Sequence, residues 1–322
     1  LYGADPTFVF CSATVGRPGR LAAELCGVDV AEVLDDASPA GPRTFALVDP
    51  PVVDEASGSR VSTSSETAAV LSQLVADGRR CIAFCRSRKM TEVVAADVAR
   101  RLPSAADTVR PYRAGYLAEE RRSVEDDLAA GRLRGVVTTS ALELGVDIGG
   151  LDACVISGFP GTIASLWQQA GRVGRGGRES LVVLVAGDDQ LDRWFVRHPD
   201  ELFDRPPEPA VVNLANPFVL EPHLACAAFE KPLAHADDGY WPDLLDDGVR
   251  NLVFDDRLRC KPGGLGPVAV WDGAGVPAPR VGLRTGMAGE FRIVDDDDRL
   301  VGTVDAGRAF DLVHPGLSLI HI

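Results

Sequence analysis

Short, continuously apolar segments alternate with longer amphipathic segments through the middle of the chain. A strand that is apolar at every position must be covered on both faces, so this pattern is typical of a parallel sheet between two layers of helices. Right-handed crossovers then give a doubly wound α/β domain, with sites at the carboxyl ends of its strands. The predicted strands are 80–84, 109–112, 135–138, 153–157 and 181–186. The predicted helices are 87–101, 118–130, one that follows residue 157, and 189–196.

The segments on either side of this domain differ in composition. Residues 29–60 are rich in Pro, Ala, Ser and Asp, which is typical of a linker, although 44–48 is a strand candidate. The alternating pattern breaks at Pro206-Pro207-Glu208-Pro209, and a small α+β region follows. Further predicted elements are a strand at 8–10, helices at 18–26, from 63 to a closing Gly78 and from about 222, and strands at 268–271, 290–294 and 300–304.

The stretch Gln-Gln-Ala-Gly-Arg-Val-Gly-Arg at 168–175 combines arginines with glycines. On a helix, one stripe would hold Gln168, Arg172 and Arg175, and the opposite stripe Leu166, Ala170 and Val173. Guanidinium groups suit phosphate oxygens. Glycine costs ~1 kcal/mol relative to alanine inside a helix, but it lets a backbone approach a ligand closely. The spacing alone leaves open a phosphate site, an ordinary surface helix and a disordered Arg-Gly segment, although the apolar runs on both sides argue against the last.

Composition narrows the classes of function. The formal net charge of −14 argues against a strongly basic nucleic-acid wrapper but leaves room for a local basic groove. The seven cysteines are scattered, with no Cys-x-x-Cys pair, so neither a zinc site nor a disulfide is expected in this chain. No apolar run reaches the ~18 residues that span a bilayer, and no signal peptide is visible. A reducing cytoplasm fits these features.

Four motifs occur in the order and at the spacing of superfamily-two helicases. The stretch at 168–175 resembles motif VI, and Ser12-Ala13-Thr14 is similar to motif III. Ile-Ala-Phe-Cys-Arg-Ser-Arg at 82–88 resembles motif IV, and Thr-Ser-Ala-Leu-Glu-Leu-Gly-Val-Asp-Ile at 139–148 resembles motif V. Residues 216–228 and His314-Pro315-Gly316 resemble one subgroup, the MrfA-type DNA repair helicases, which are RecQ-like enzymes with a four-cysteine C-terminal domain. The resemblance covers most of residues 1–316 and is weakest between about 235 and 300.

This resemblance implies a RecA-like doubly wound parallel sheet, the second helicase lobe, followed by a smaller winged-helix-like α+β region. The last six residues do not continue the subgroup pattern and match a sequencing adapter, so we expect an assembly artefact there. The expected segments are the end of lobe one at 1–28, an inter-lobe linker at 29–61, the C-terminal RecA-like lobe at 62–205, a winged-helix-like region at 206–265, the start of a β-rich module at 266–316, and the artefact at 317–322.

By the same resemblance, Arg172 and Arg175 reach the γ-phosphate of ATP, with Arg175 as the expected arginine finger. Gln168 would orient the phosphate or the attacking water. Gly145 would let the backbone approach the nucleotide, and Asp147 would bond the ribose hydroxyl or an arginine. Taken without the family, Asp147 is better interpreted as a turn residue.

Phosphoryl transfer also needs a phosphate cradle and Mg²⁺ ligands. Neither Gly-x-x-x-x-Gly-Lys-Ser/Thr nor Asp-Glu-x-His occurs in the sequence. In this family both belong to the part of the first lobe that precedes motif III. The chain is therefore expected to be an inactive fragment, with ATP and Mg²⁺ held mainly by the missing lobe and zinc possible only in the missing C-terminal region.

Motif IV ends a strand and opens a helix, which places Arg86, Ser87 and Arg88 at a positive helix terminus suited to a nucleic-acid phosphate. Thr139 would contact the next phosphate, and Arg113 would add another contact. For each of these residues taken singly, a solvated surface position explains the sequence equally well. Two motif III residues would couple the lobes, namely Ser12 and Thr14.

These expectations combine into an ATP-dependent DNA helicase or translocase that tracks the DNA backbone, acts 3′-to-5′ in DNA repair, and works in the bacterial cytoplasm at the nucleoid. The alternatives are an RNA helicase and a non-catalytic nucleic-acid-binding scaffold. An RNA helicase is disfavoured because motif VI of the commonest RNA helicases begins with His rather than Gln.

Overall fold

The computed structural model describes residues 6–35, 41–113, 116–144, 149–210, 213, 215–281, 290–294, 296–298 and 300–305. It divides into two compact units, Leu1–Ala210 and Val211–Ile322. The tail at 317–322 and the motif at 314–316 lie outside the described residues. Within the described ranges, no helix is both long and apolar enough to cross a membrane.

The first unit alternates strands and helices along the chain. Its strands are β1 (Arg43–Val48), β2 (Val52–Asp54), β3 (Ser59–Arg60), β4 (Cys81–Cys85), β5 (Val109–Tyr112), β6 (Gly135–Thr138), β7 (Ala153–Ser157) and β8 (Ser180–Val185). Its helices are α1 (Pro18–Cys26), α2 (Thr63–Ala76), α3 (Arg88–Arg101), α4 (Ala118–Ala129), α5 (Ile163–Ala170), α6 (Gln190–Arg197) and α7 (Pro199–Phe203).

Six of these strands form one parallel sheet in the order β1-β8-β7-β4-β6-β5. Strands β4, β6 and β7 are buried at every residue, because helices cover both faces. Apolar side chains of α2 and α3 fill the core on one face, and those of α4, α5 and α6 fill it on the other. The structure thus confirms the doubly wound parallel sheet that the apolar runs predict.

Of the two strands expected near the N-terminus, the structure contains one and lacks the other. Residues 8–10 form no strand, which corrects the prediction: Phe8 and Phe10 are exposed and stack with ring centroids 6.2 Å apart. A strand needs a neighbour for its backbone groups, and no described strand pairs with this segment. The strand candidate in the expected linker is β1, which pairs with β8 at the edge of the main sheet. Part of the range expected as linker therefore completes the lobe.

The second unit is a small α+β assembly. Helices α8 (Pro217–Glu230) and α9 (Leu245–Phe254) contribute most of its core. A three-stranded antiparallel sheet has the order β10-β11-β9, and its strands are β9 (Leu233–Ala234), β10 (Leu258–Gly263) and β11 (Gly266–Trp271). A separate hairpin follows, formed by β12 (Glu290–Val294) and β13 (Leu300–Asp305).

Helix α8 begins earlier than the predicted start near residue 222. The Asn216 side chain accepts a hydrogen bond from the Phe218 N–H, and Pro217 occupies the first helical position. An asparagine cap followed by proline is a favourable helix start. Pro222 consequently lies inside the helix rather than at its beginning.

Candidate functional site

The carboxyl ends of β4, β6 and β7 meet at one edge of the sheet and line a cleft of about 250 Å³. The motif IV, motif V and motif VI segments all contribute to it. Its polar lining comes from Arg86, Thr139, Ser140, Glu143, Ser157, Ser165 and Gln169. The cleft therefore brings together three sequence motifs that lie far apart along the chain.

Arg86 follows β4 and binds the loops that follow two other strands. Its Nε and Nη2 donate to the Phe159 carbonyl at 3.1 and 2.7 Å. Nη1 lies 2.9 Å from Asp189 Oδ2, and Nη2 lies 2.9 Å from Asp192 Oδ1. Gly158 has φ +80°, and a Cβ there would lie 2.9 Å from Arg86 Nε, so glycine leaves room for the guanidinium. Arg86, expected from the sequence to hold a nucleic-acid phosphate, thus already has two carboxylate partners.

Asp192 is the buried member of this cluster, with a side chain only 1% exposed. Burial raises its pKa and the nearby Asp189 charge adds to the rise, against the opposing hydrogen bonds from the Gly187 and Phe159 N–H groups and the charge of Arg86. At Asp189, burial is outweighed by hydrogen bonds from the Asp192 N–H and Arg86, and its pKa is lowered. The cluster joins the loops after β4, β7 and β8 through charge-assisted hydrogen bonds.

The start of α3 keeps exposed donors at the same edge. The Ser87 hydroxyl caps the helix by accepting from the Met90 N–H at 3.2 Å. Arg88 and Lys89 are exposed in the first turn. Thr139 follows β6, and its side chain accepts from the Ala141 N–H at 3.4 Å. Ser87 and Arg88 thus lie at the N-terminus of α3, the end of a helix that favours an anion, and their predicted phosphate contacts stay a prediction.

Arg113 lies beyond β5 in a cluster with an acid and an aromatic ring. Its Nε donates to Glu92 Oε1 at 3.0 Å, and its guanidinium stacks over the Tyr116 ring at 4.9 Å. The Tyr116 hydroxyl donates to the same Glu92 oxygen at 2.9 Å. Arg113 is therefore held in place by two neighbours.

Helix α5 carries the start of motif VI, and a carboxylate caps its N-terminus. The Ile163 and Ala164 N–H groups donate to the two Glu208 carboxylate oxygens at 2.8 and 3.1 Å. Burial acts to raise the Glu208 pKa, but these hydrogen bonds outweigh it and the pKa is lowered. The Glu208 carbonyl also accepts from the Gly16 N–H at 3.2 Å. The segment before the second unit is thus bonded to α5 and to the residues after motif III.

The arginines of motif VI do not lie on a helix, which corrects the predicted stripe. Helix α5 ends at Ala170, and a turn follows in which Gly174 has φ +78°. A Cβ on Gly174 would lie 2.6 Å from Ser180 Oγ, so the turn needs glycine at this position. Arg172 is consequently buried, whereas Arg175 is exposed.

Glu143, a residue of motif V that the sequence did not single out, is bonded to three residues of motif VI and its helix. Its carboxylate Oε2 accepts from the Ser165 hydroxyl at 2.8 Å and from Gln169 Nε2 at 3.0 Å. Its backbone carbonyl accepts from Arg172 through Nε, at 3.0 Å, and through Nη2. An acid four residues after Thr139 carries no separate sequence signal, so only the fold reveals this role.

Gln168 connects motif VI to motif III. Its Nε2 donates to the Thr14 carbonyl at 3.4 Å, while Ser12 is exposed nearby in the chain. The structure therefore places Gln168 beside motif III, whose residues Ser12 and Thr14 are expected to couple the lobes. Gly145 and Asp147, the remaining expected nucleotide contacts, lie outside the described residues.

The cysteines of the sheet are core residues. Burial raises the pKa of the thiols of Cys81 and Cys85 in β4 to about 12, so they are neutral and weakly reactive near neutral pH. Over the described part of the chain, no cluster of His, Cys, Asp and Glu is arranged to hold a metal ion.

Comparison with known proteins gives two family matches. Residues 66–177 match the helicase conserved C-terminal domain. Residues 212–284 match the winged helix domain of the ATP-dependent helicase HRQ1. Over nearly its whole length the chain is similar to MrfA- and Hrq1-like helicases of superfamily two. The first unit therefore contains a RecA-like helicase C-terminal domain, and the second unit contains a winged helix.

Individual relatives match almost the whole chain. The helicase YprA of Bacillus subtilis is 36% identical over 99% of the chain, and HRQ1 of Saccharomyces cerevisiae is 31% identical over 98%. The chain spans 43% and 30% of these two proteins. The crystal structure of the DUF1998 helicase MrfA bound to DNA has a TM-score of 0.80 at 36% identity, covering 97% of this chain and 42% of that one. A further MrfA structure contains both DNA and AMPPNP, also with a TM-score of 0.80.

Proposed function

We propose that this chain contains the second lobe of an ATP-dependent DNA helicase or translocase that moves 3′-to-5′ and acts in DNA repair. The observation that carries the proposal is the junction of motifs V and VI, where Glu143 connects the cleft-lining turn to the buried Arg172. A motor needs such a connection, because nucleic-acid binding must change the geometry around ATP. YprA and HRQ1 are ATP-dependent helicases and MrfA binds DNA, which agrees with this function.

For the nucleotide, we propose that Arg175 is the arginine finger and that Arg172 supports the turn carrying it. Gln168 would orient the γ-phosphate or the attacking water, and Gly145 and Asp147 would approach the nucleotide as their motif suggests. The exposed guanidinium and the glycine-rich turn fit a phosphate group chemically. ATP and Mg²⁺ would be held mainly by a first lobe, and any zinc by a region after the chain.

For DNA, we propose backbone contacts along the cleft edge. Ser87, Arg88 and Thr139 would meet successive phosphates, with the positive terminus of α3 adding to their attraction. Arg113 would add a contact from its position beside Glu92. Arg86 would contribute mainly by fixing the loops behind these residues, since it is paired with Asp189 and Asp192.

The test is single-stranded-DNA-stimulated ATP hydrolysis by the full-length protein. Arg175→Ala should lower turnover by about 10³- to 10⁵-fold, the range for arginine fingers, while nucleotide affinity changes far less. Arg175→Lys should restore little, because it keeps the charge without the planar fork. Arg178→Ala is the matched control, since Arg178 is exposed in the following segment.

Three results would redirect the proposal. Normal turnover with lowered thermal stability in Arg175→Ala would make this arginine structural. Equal or stronger stimulation by RNA would favour an RNA helicase. Binding of nucleic acid without any hydrolysis by the wild-type protein would favour a scaffold.

A further inference from the structure

Glu143 lines the cleft and is bonded both to the turn after Thr139 and to the motif VI segment. Its N–H donates to the Ser140 carbonyl at 3.0 Å, closing the 3₁₀ turn Ser140–Leu142 that follows Thr139. On its other side it accepts from Ser165, Gln169 and Arg172. A single short turn therefore separates the proposed phosphate contact from an arginine of motif VI.

This connection is stiff because its groups are buried. Glu143, Gln169 and Arg172 are 9%, 5% and 6% exposed. An ionised carboxylate accepts hydrogen bonds and cannot donate them. Glu143 therefore holds the Gln169 amide with its Nε2 directed toward the carboxylate. A buried donor that loses its acceptor is costly, so Thr139 and Ser140 cannot shift without moving Gln169 or breaking these bonds.

We propose that Glu143 is a positioning residue that transmits occupancy of the nucleic-acid cleft to motif VI, through its carboxylate to α5 and through its carbonyl to Arg172. The carboxylate holds α5 through Ser165 and Gln169, while the carbonyl of the same residue holds Arg172. DNA that reorients the turn after Thr139 then moves both attachments together. This inference rests on the proposed motor function.

The experiment measures the ratio of ATP turnover with saturating single-stranded DNA to turnover without DNA, in the full-length protein. Glu143→Ala removes both side-chain attachments and should lower this ratio by about 5- to 150-fold, the usual range for coupling between two sites. Glu143→Gln should keep most of the ratio, since its Oε1 can accept from the same two donors.

Glu125→Ala is the matched control. Glu125 is a half-buried acid that accepts a hydrogen bond from the Tyr112 hydroxyl at 2.6 Å. Tyr112 belongs to β5, the edge strand at the opposite end of the sheet from β1 and β8. Its replacement should lower thermal stability without lowering the ratio. If Glu143→Ala yields no folded protein, Ser165→Ala must still lower the ratio, because it removes one donor while keeping Cβ.

The outcomes separate this inference from the proposed function. A wild-type protein without DNA-stimulated hydrolysis would refute both. Normal stimulation in the wild type and an unchanged ratio in Glu143→Ala would refute the inference alone. The inference would also be wrong if Glu143→Gln behaved like Glu143→Ala, or if the Glu125 control lowered the ratio equally.

Discussion

Replacing Arg86 with alanine should destabilise the loops at the carboxyl edge of the sheet. The change leaves the buried Asp192 carboxylate without its cation, although the Phe159 and Gly187 N–H groups still donate to it at 3.0 and 2.6 Å. Breaking a buried pair costs about 3–5 kcal/mol. Arg86 is 49% exposed and two hydrogen bonds remain, so we expect about 2 kcal/mol, the value of one charge-assisted hydrogen bond. The exposed Asp189 pair adds at most ~1 kcal/mol.

The cost should depend on pH in a defined direction. The pKa of Asp192 is raised above its ordinary value, so its contribution to stability is fully present at low pH and is lost as pH rises through the folded-state pKa. Removing Arg86 takes away a charge that lowers this pKa. The loss of stability in Arg86→Ala should therefore be largest near neutral pH and become smaller as the solution is acidified.

Amide hydrogen exchange at Phe159 and Gly187 reports this local opening directly. A loss of about 2 kcal/mol predicts exchange roughly 30-fold faster, at 1.4 kcal/mol per tenfold. Arg88→Ala is the control, because Arg88 is exposed in the next turn. The reasoning fails if Arg86→Ala leaves this exchange unchanged and instead lowers the salt slope of single-stranded DNA binding by about 0.7, the contribution of one phosphate contact.

Three further predictions concern the same lobe. Glu208→Gln should lower the free energy of unfolding by about 0.5–1 kcal/mol, because the charge at the start of α5 is lost. The pKa of Glu208 is lowered, so urea titrations should show this loss of stability at neutral pH and its disappearance on acidification. Gly174→Ala should lower the melting temperature more than Gly176→Ala, since both have positive φ but only Gly174 faces Ser180 Oγ. The 322-residue chain alone should release no phosphate from ATP above background, and steady turnover abolished by Arg175→Ala would contradict this.

The layout of the first unit is predictable from sequence because burial on both faces of a parallel sheet leaves an unmistakable apolar run. Strands β6 and β7 and helix α1 have the predicted bounds. Helix α9 and strand β10 were not predicted, because short elements in a Gly-, Pro- and Asp-rich region carry weak periodicity. The membership of β1 in the sheet depends on a partner distant in sequence.

The site shows the same division. The motifs identify which segments meet at the cleft, and the structure brings motifs IV, V and VI together there. The partners of the individual side chains could not be predicted from the sequence. The pairing of Arg86 with Asp189 and Asp192 depends on a long-range contact. The burial of Arg172 depends on a helix that ends at Ala170. The functional roles of the site residues stay predictions.

Because the edge strand β1 pairs with β8, it limits how far the protein can be shortened from its N-terminus. A shortened protein beginning at residue 62 would lack β1 and expose one side of β8, whose sequence is Ser-Leu-Val-Val-Leu-Val. The six residues of β8 paired with β1 would then present unmatched backbone groups, and an apolar, uncharged edge of this kind invites pairing between molecules. Such a protein should collect in inclusion bodies, whereas one that begins before Arg43 keeps β8 paired with β1 and should be recovered in the soluble fraction of the lysate.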